Sequence, residues 1–233
     1  TGLRLLGAKI VESHGYILCE CDKLYGNEIH LDYPSVGATE NIMLAAVSAE
    51  GVTIIQNAAR EPEIVDLQNF LNGMGAKITG AGSSTIKIEG VKEFHDVEHT
   101  VIPDRIVAGT YCVAAAITQG RIIIRDIIPE HIKPVLLKLE ESGCKINRYN
   151  KDISISCCGR PNAVDIIKTM PYPGFPTDMQ AQMMALMAVS EGTSIVTETI
   201  FENRFKHVDE LRRLGADIKV EGRVAIIKGV KSL

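Results

Sequence analysis

Apolar and polar positions along the chain follow two periods, and the switch between them recurs. From Glu61 to Met74 the apolar residues Ile64, Leu67, Phe70, Leu71 and Met74 fall three and four apart, which places them on one face of a helix. Pro62 sits in its first turn, where a missing N–H costs nothing. Two short strands follow, Ala76 to Thr79 and Thr85 to Ile88, on either side of the turn Gly80-Ala81-Gly82-Ser83. Upstream, a helix from Thr39 to Ser48 is expected to close at Gly51 in the left-handed conformation, with a strand from Thr53 to Gln56 after it. Arg121 to Ile124 and Ser194 to Thr197 read as the corresponding strands further along. The predicted unit is β-α-β-α-β-β.

The unit repeats. Leu3 to Ile10, Leu71 to Ile78, Leu139 to Ile146 and Leu211 to Ile218 each carry a helix end, a glycine and a strand start; their glycines, Gly7, Gly75, Gly143 and Gly215, are 68, 68 and 72 residues apart. A second series, Gly51, Gly120 and Gly192, interleaves at 69 and 72. A period near 70 is too long for most solenoids and matches a whole folding unit. Such units set around an axis with one helix of each turned inward would form barrel-like α/β lobes. The polar stretch from Val91 to Thr100 leads into Val101-Ile102-Pro103-Asp104-Arg105, and a linker is expected near residues 100–105. His95 and His99 stand four apart in that stretch, where nothing reads as a helix, so a surface loop is expected there. Gly80-Ala81-Gly82-Ser83 is not a phosphate loop, because strands flank it and no Gly-Lys-Ser/Thr follows.

Composition narrows the class. With 45% apolar and 23% charged residues the chain reads as a packed protein. The absence of Trp, 5% aromatics, a net charge of −4 and a pI near 5.9 exclude a phosphate-backbone or base-stacking nucleic-acid binder. No apolar stretch approaches the roughly 20 residues of a membrane span. Thr1-Gly2-Leu3-Arg4 has no signal-peptide layout, and without an initiator Met the chain is expected to be processed or cut from something longer. Six cysteines, at 19, 21, 112, 144, 157 and 158, have no paired zinc spacing; they are expected to be buried structural thiols in a reducing, cytoplasmic compartment.

Three segments pair a proline with a helix start: Pro34 to Thr39, Pro103 to Gly109 and Pro173 to Gln180. Helix starts offer unpaired N–H groups and about half a positive charge, a ready anion site. Ser35 either caps its helix or, with Gly37 letting the backbone approach, contacts a phosphate. Thr177 and Gln180 have the spacing of a capping box. Asp178 is then either a first-turn acid favoured by the dipole or a carboxylate held in place for chemistry.

At these positions the chain resembles the UDP-N-acetylglucosamine 1-carboxyvinyltransferases, the enolpyruvyl transferases of peptidoglycan synthesis. The resemblance runs through Pro34 to Met43, Asn57 to Asp66, Pro103-Asp104-Arg105, Phe175 to Gln182 and Thr197 to Phe205, and covers nearly the whole chain. It implies an inside-out α/β barrel of repeated β-α-β-α-β-β units, here truncated, with the active site in the cleft between two lobes. Residues 1–102 would be part of the catalytic, UDP-binding lobe, incomplete at its N-terminal side, and 103–233 part of the second, incomplete at its C-terminal side. The implied reaction moves the enolpyruvyl group of phosphoenolpyruvate to the 3-hydroxyl of UDP-N-acetylglucosamine. By resemblance, Asp178 both binds the sugar substrate beside that hydroxyl and is the general base; Tyr33, Pro34, Ser35, Val36 and Gly37 hold the UDP part, and Ile200 also contacts it. Many family members have Lys at the position of Tyr33. Arg105 and Arg204 occupy motif positions near the cleft without an assigned role. No cofactor or metal is implied.

The departures point the other way. In that family a catalytic Cys or Asp and several residues that bind phosphoenolpyruvate lie upstream of the position of Thr1 or downstream of that of Leu233. None of the six cysteines matches the catalytic one. The 233 residues alone are therefore expected to be inactive and to bind phosphoenolpyruvate weakly, and incomplete lobes imply self-association or a missing partner segment. Two other readings stand beside this one: an enzyme of the 5-enolpyruvylshikimate 3-phosphate type, and a non-catalytic UDP-sugar-binding or scaffold segment.

Overall fold

A computed structural model describes residues 1–233, which divide into two compact units, Thr1–Ile102 and Pro103–Leu233. The first unit opens with α1 (Gly2–Leu5) and a two-stranded antiparallel hairpin, β1 (Lys9–Ser13) and β2 (Tyr16–Glu20). A complete predicted unit follows as β3 (Glu28–His30), α2 (Val36–Ala46), β4 (Val52–Gln56), α3 (Pro62–Gly73), β5 (Lys77–Thr79) and β6 (Thr85–Glu89). Its sheet runs β3-β4-β6-β5, with β3 and β4 parallel across the α2 crossover and the other pairs antiparallel. Period-2 alternation puts one face inward: Ile29, Ile55 and Ile86 are in register across it, as are Ile78 and Ile88. They pack with Ile42, Met43, Ile64 and Leu71 from the two helices.

The second unit has α4 (Arg105–Ile117), β7 (Arg121–Ile124), α5 (Lys133–Glu141), β8 (Lys145–Tyr149) and β9 (Asp152–Ser156), with a three-stranded sheet β7-β9-β8. A second complete unit closes it: β10 (Ile166–Lys168), α6 (Gln180–Val189), β11 (Thr193–Thr197), α7 (His207–Arg213), β12 (Asp217–Glu221) and β13 (Val224–Lys228). Its sheet order, β10-β11-β13-β12, repeats that of β3-β4-β6-β5 strand for strand. The core contains Ile153, Ile155, Ile167, Met183, Leu186, Val196 and Ile227. None of the helices is long and apolar enough to cross a membrane.

Both glycine series have a physical job. Gly7, Gly75, Gly143 and Gly215 adopt φ of 104°, 102°, 94° and 105°, and the next residue's N–H returns to the helix: Ala8 to Leu3, Ala76 to Leu71, Cys144 to Leu139 and Ala216 to Leu211, each at 3.0 Å. That is a left-handed helix stop. In the second series the carbonyls of Gly51, Gly120 and Gly192 accept N–H bonds from Gly90, Cys157 and Gly229, the residues that follow β6, β9 and β13. Two details differ from expectation. The helix expected from Thr39 starts three residues earlier, because Ser35 caps it, and ends at Ala46; Gly51, at φ 97°, turns the chain into β4 rather than closing the helix. Cys19, Cys21 and Cys158 are exposed, against the expectation of burial. The hairpin that carries Cys19 has no second sheet over it, and Tyr16 and Ile17 are each 73% exposed.

Candidate active site

In the first unit the expected nucleotide-holding residues form one turn at the entry to α2. The N–H of Ser35 reaches back to the carbonyl of Tyr33 at 2.7 Å, and its Oγ accepts from the N–H of Ala38 at 3.3 Å. Thr39, fully buried, ties the turn down: its Oγ1 donates to the carbonyl of Ser35 at 2.8 Å and accepts from the N–H of Ala59 at 3.1 Å. Asn57, at φ 55°, donates from Nδ2 to the carbonyl of Leu31 at 2.7 Å. Tyr33 and Gly37 face solvent, while Pro34, Ser35 and Val36 are half-buried. The capping hydroxyl is neutral and takes only the N–H of Ala38, so those of Val36 and Gly37 have no intrahelical acceptor at the positive helix end. A Cβ on Gly37 would meet nothing within 4 Å, which leaves the approach open. The start of α4 is different. There the carboxylate of Asp104 already accepts from the N–H groups of Ile106 and Val107, at 2.8 and 2.9 Å. Of the anion sites expected at helix starts, that one is filled from within.

In the second unit the site is built around a carboxylate to which sequence reading assigned no role. Glu198, 1% exposed just past the end of β11, accepts five hydrogen bonds. Its Oε1 takes Thr169 Oγ1 at 2.9 Å and the N–H groups of Ile200 and Phe201 at 2.8 and 3.1 Å; its Oε2 takes Thr177 Oγ1 at 2.9 Å and Gln180 Nε2 at 2.7 Å. Burial pushes its pKa up, but the two backbone N–H groups and the two threonine hydroxyls outweigh it, and the net shift is downward.

The capping box expected of Thr177 and Gln180 is therefore absent. Residues Thr177–Met179 form a 3₁₀ turn without a side-chain cap, and both side chains serve Glu198 instead. A buried carboxylate needs donors more than a solvated helix start does. Asp178 projects from this turn with its side chain 53% exposed, and its Oδ1 accepts from Arg204 NH2 at 2.7 Å. Arg204 in turn lies over the ring of Phe201, 4.9 Å from its centroid. Below the turn Met179 is fully buried, and Gly109 of α4 makes room for it: a Cβ there would lie 2.9 Å from its sulfur.

The expected site residues thus form two groups, Tyr33 to Gly37 in one unit and Asp178 with Ile200 in the other. Glu198 and Arg204 complete the second. The buried Glu198 makes stability depend on pH in one direction. Protonation of the unfolded chain precedes that of the folded one, so stability is present above the ordinary carboxylate pKa of 4.5 and is lost as pH falls through the lowered folded value. The melting temperature of the wild type is expected to drop more steeply than that of Glu198→Gln between about pH 5 and 3; parallel curves would contradict this.

Other candidates settle elsewhere. His99 does sit in irregular chain, but its Nε2 lies 3.0 Å from Asp66 Oδ1 and its ring packs on Phe70, which straps the segment onto α3. Among the buried thiols, burial pushes Cys112 and Cys144 up to about 12, leaving them protonated and inert.

The EPSP synthase (3-phosphoshikimate 1-carboxyvinyltransferase) family profile matches residues 1–233. The chain is 62% identical over 232 residues to UDP-N-acetylglucosamine 1-carboxyvinyltransferase 2 of Caldanaerobacter subterraneus subsp. tengcongensis, covering 56% of that protein. It is 59% identical over 232 residues to UDP-N-acetylglucosamine 1-carboxyvinyltransferase 1 of Carboxydothermus hydrogenoformans, covering 55%; both alignments take in all of this chain. The chain spans about half the length of the curated relatives it matches. Among solved structures, the enolpyruvyl transferase NikO from Streptomyces tendae superposes with a TM-score of 0.87 at 23% identity, over 98% of this chain and 57% of that one. EPSP synthase from Acinetobacter baumannii does so at 0.71 and 22%, over 98% and 55%.

Proposed function

The chain belongs to the EPSP synthase family of enolpyruvyl transferases, and from that premise we propose that it works on a nucleotide sugar, transferring the enolpyruvyl group of phosphoenolpyruvate to the 3-hydroxyl of UDP-N-acetylglucosamine in the first committed step of peptidoglycan synthesis. In this reading the hydroxyl oxygen attacks C2 of phosphoenolpyruvate as C3 gains a proton. The tetrahedral phospho-ketal then loses its C2–O bond to phosphate, and a proton leaves C3 to restore the enol ether. Asp178 takes the proton of the attacking hydroxyl. The N–H groups of Val36 and Gly37 and the hydroxyl of Ser35 face the diphosphate, and Ile200 lies against the nucleotide sugar.

The observation that carries the proposal is the state of Asp178. A general base must be held and yet reach the proton it removes. One oxygen of this carboxylate is fixed on Arg204, and the side chain remains half exposed on a turn anchored by the buried Glu198. The choice of a UDP-sugar over a shikimate phosphate rests on identities near 60% to relatives named for the former, against 22% for the EPSP synthase structure.

The test is phosphate release by the intact protein from phosphoenolpyruvate. Turnover is expected with UDP-N-acetylglucosamine and not with shikimate 3-phosphate, and the reverse preference would overturn the assignment. The 233 residues expressed by themselves are proposed to give only background release.

A further inference from the structure

We infer that Glu198 is a positioning residue for the proposed base, and that its five hydrogen bonds set where Asp178 and Ile200 stand with respect to each other. The inference rests on the reading of Asp178 as the base, and goes beyond it by assigning the group that holds it. Three separate stretches of chain meet on the one carboxylate: Thr169 after β10, Thr177 and Gln180 on either side of Asp178, and the backbone of Ile200 and Phe201. Thr169 adds a second link, since its Oγ1 accepts from the N–H of Thr199 at 2.9 Å. No cation is among the five donors. A residue that served stability alone would be cheaper as a packed apolar side chain. A carboxylate offers two oxygens in one rigid plane, one for the turn that bears Asp178 and one for the turn that bears Ile200. Arg204, which pairs with Asp178, continues the same segment beyond Phe201.

The side chains also predict which replacement is tolerated. In Glu198→Gln the amide oxygen can keep the bonds from Ile200 and Phe201, whose N–H groups cannot turn. The amide nitrogen then faces Thr177, whose hydroxyl can rotate to accept, and Gln180, whose own Oε1 is buried without a partner and can flip to accept. In Glu198→Ala both turns lose their shared anchor.

The experiment measures kcat, KM and folded fraction in the intact protein at a temperature well below melting. Glu198→Ala is expected to lose about 30-fold or more in kcat per folded molecule, and Glu198→Gln to recover most of it. Thr177→Val, which removes one donor from the Asp178 turn and leaves the carboxylate in place, covers the case in which Glu198→Ala does not fold. It is expected to lower kcat about 5-fold, with recovery in Thr177→Ser. Wild-type kcat per folded molecule in Thr177→Val, or in a Glu198→Ala that folds, would overturn the positioning role. If Asp178→Asn itself kept full kcat, the failure would lie in the reading of the base instead.

Discussion

Asp178→Asn in the intact protein is expected to lower kcat by about 10³-fold while leaving the affinity for the UDP-sugar within a few-fold of wild type. General-base removal typically costs 10²–10⁴. Asn keeps the shape of the side chain and an oxygen for Arg204, so the turn has no reason to move. The ion pair it weakens is exposed, with side-chain accessibilities of 53% and 33%, and such pairs contribute about 0–1 kcal/mol. Melting is therefore expected to change little, and the loss must be chemical. In this account the turn from Tyr33 to Gly37 holds the nucleotide, and the substitution replaces none of its residues. Steady-state kinetics with a binding titration separates the two effects; a kcat within a few-fold of wild type would remove Asp178 from the mechanism.

Gly229→Ala is expected to give a large loss of stability, matched by its counterpart Gly90→Ala. A Cβ at this position would overlap the carbonyl oxygen of Ser190, and backbone on both sides leaves no flexible side chain to yield. Gly90, at the same place in the first unit, meets the carbonyl oxygen of Ala49 in the same way. Overpacking of this kind costs about 3 kcal/mol, or roughly 6–12 °C in melting temperature for a domain of this size. The two alanine variants are expected to fall by similar amounts, because the two sites are the same joint in two copies of one unit. Gly15→Ala is the control: its Cβ would meet nothing within 4 Å, so only the φ of 80° opposes it, at about 1–2 kcal/mol. Equal melting of all three variants, followed by calorimetry, would contradict the account of the joint.

The same joints explain how much of the fold was legible. A helix that must stop and reverse into a strand within two residues needs a left-handed residue, and glycine is the one that adopts it without strain. Gly7, Gly75, Gly143 and Gly215 therefore printed the period directly into the sequence. Strands could be read from alternation where one face of the sheet is buried, as in Thr85 to Ile88. Boundaries were read less well where a side chain intervenes. Ser35 caps α2 and starts it at Val36, three residues before the expected Thr39.

The site was legible in part. Thr177 and Gln180 have the spacing of a local motif, yet their partner is Glu198, 21 and 18 residues away, and no local pattern contains that. The same holds for Thr169, 29 residues from the carboxylate it donates to. Burial of an acid shows only when the segments around it are folded. The exposure of Cys19 departs from expectation for a related reason: an apolar strand such as Tyr16 to Glu20 implies a covering layer, and this hairpin has none in the first unit.

The central claim is that the open start of α2 holds a nucleotide diphosphate, and calorimetric titration of the intact protein with UDP-N-acetylglucosamine tests it most directly, wild type against Gly37→Val. A Cβ at Gly37 would meet nothing within 4 Å, so the fold is expected to accept a valine there, whose methyl groups obstruct the approach to the N–H groups. Saturable binding at one site, weakened about 10-fold or more in the variant, is the predicted result. Equal affinity in the two proteins would contradict it.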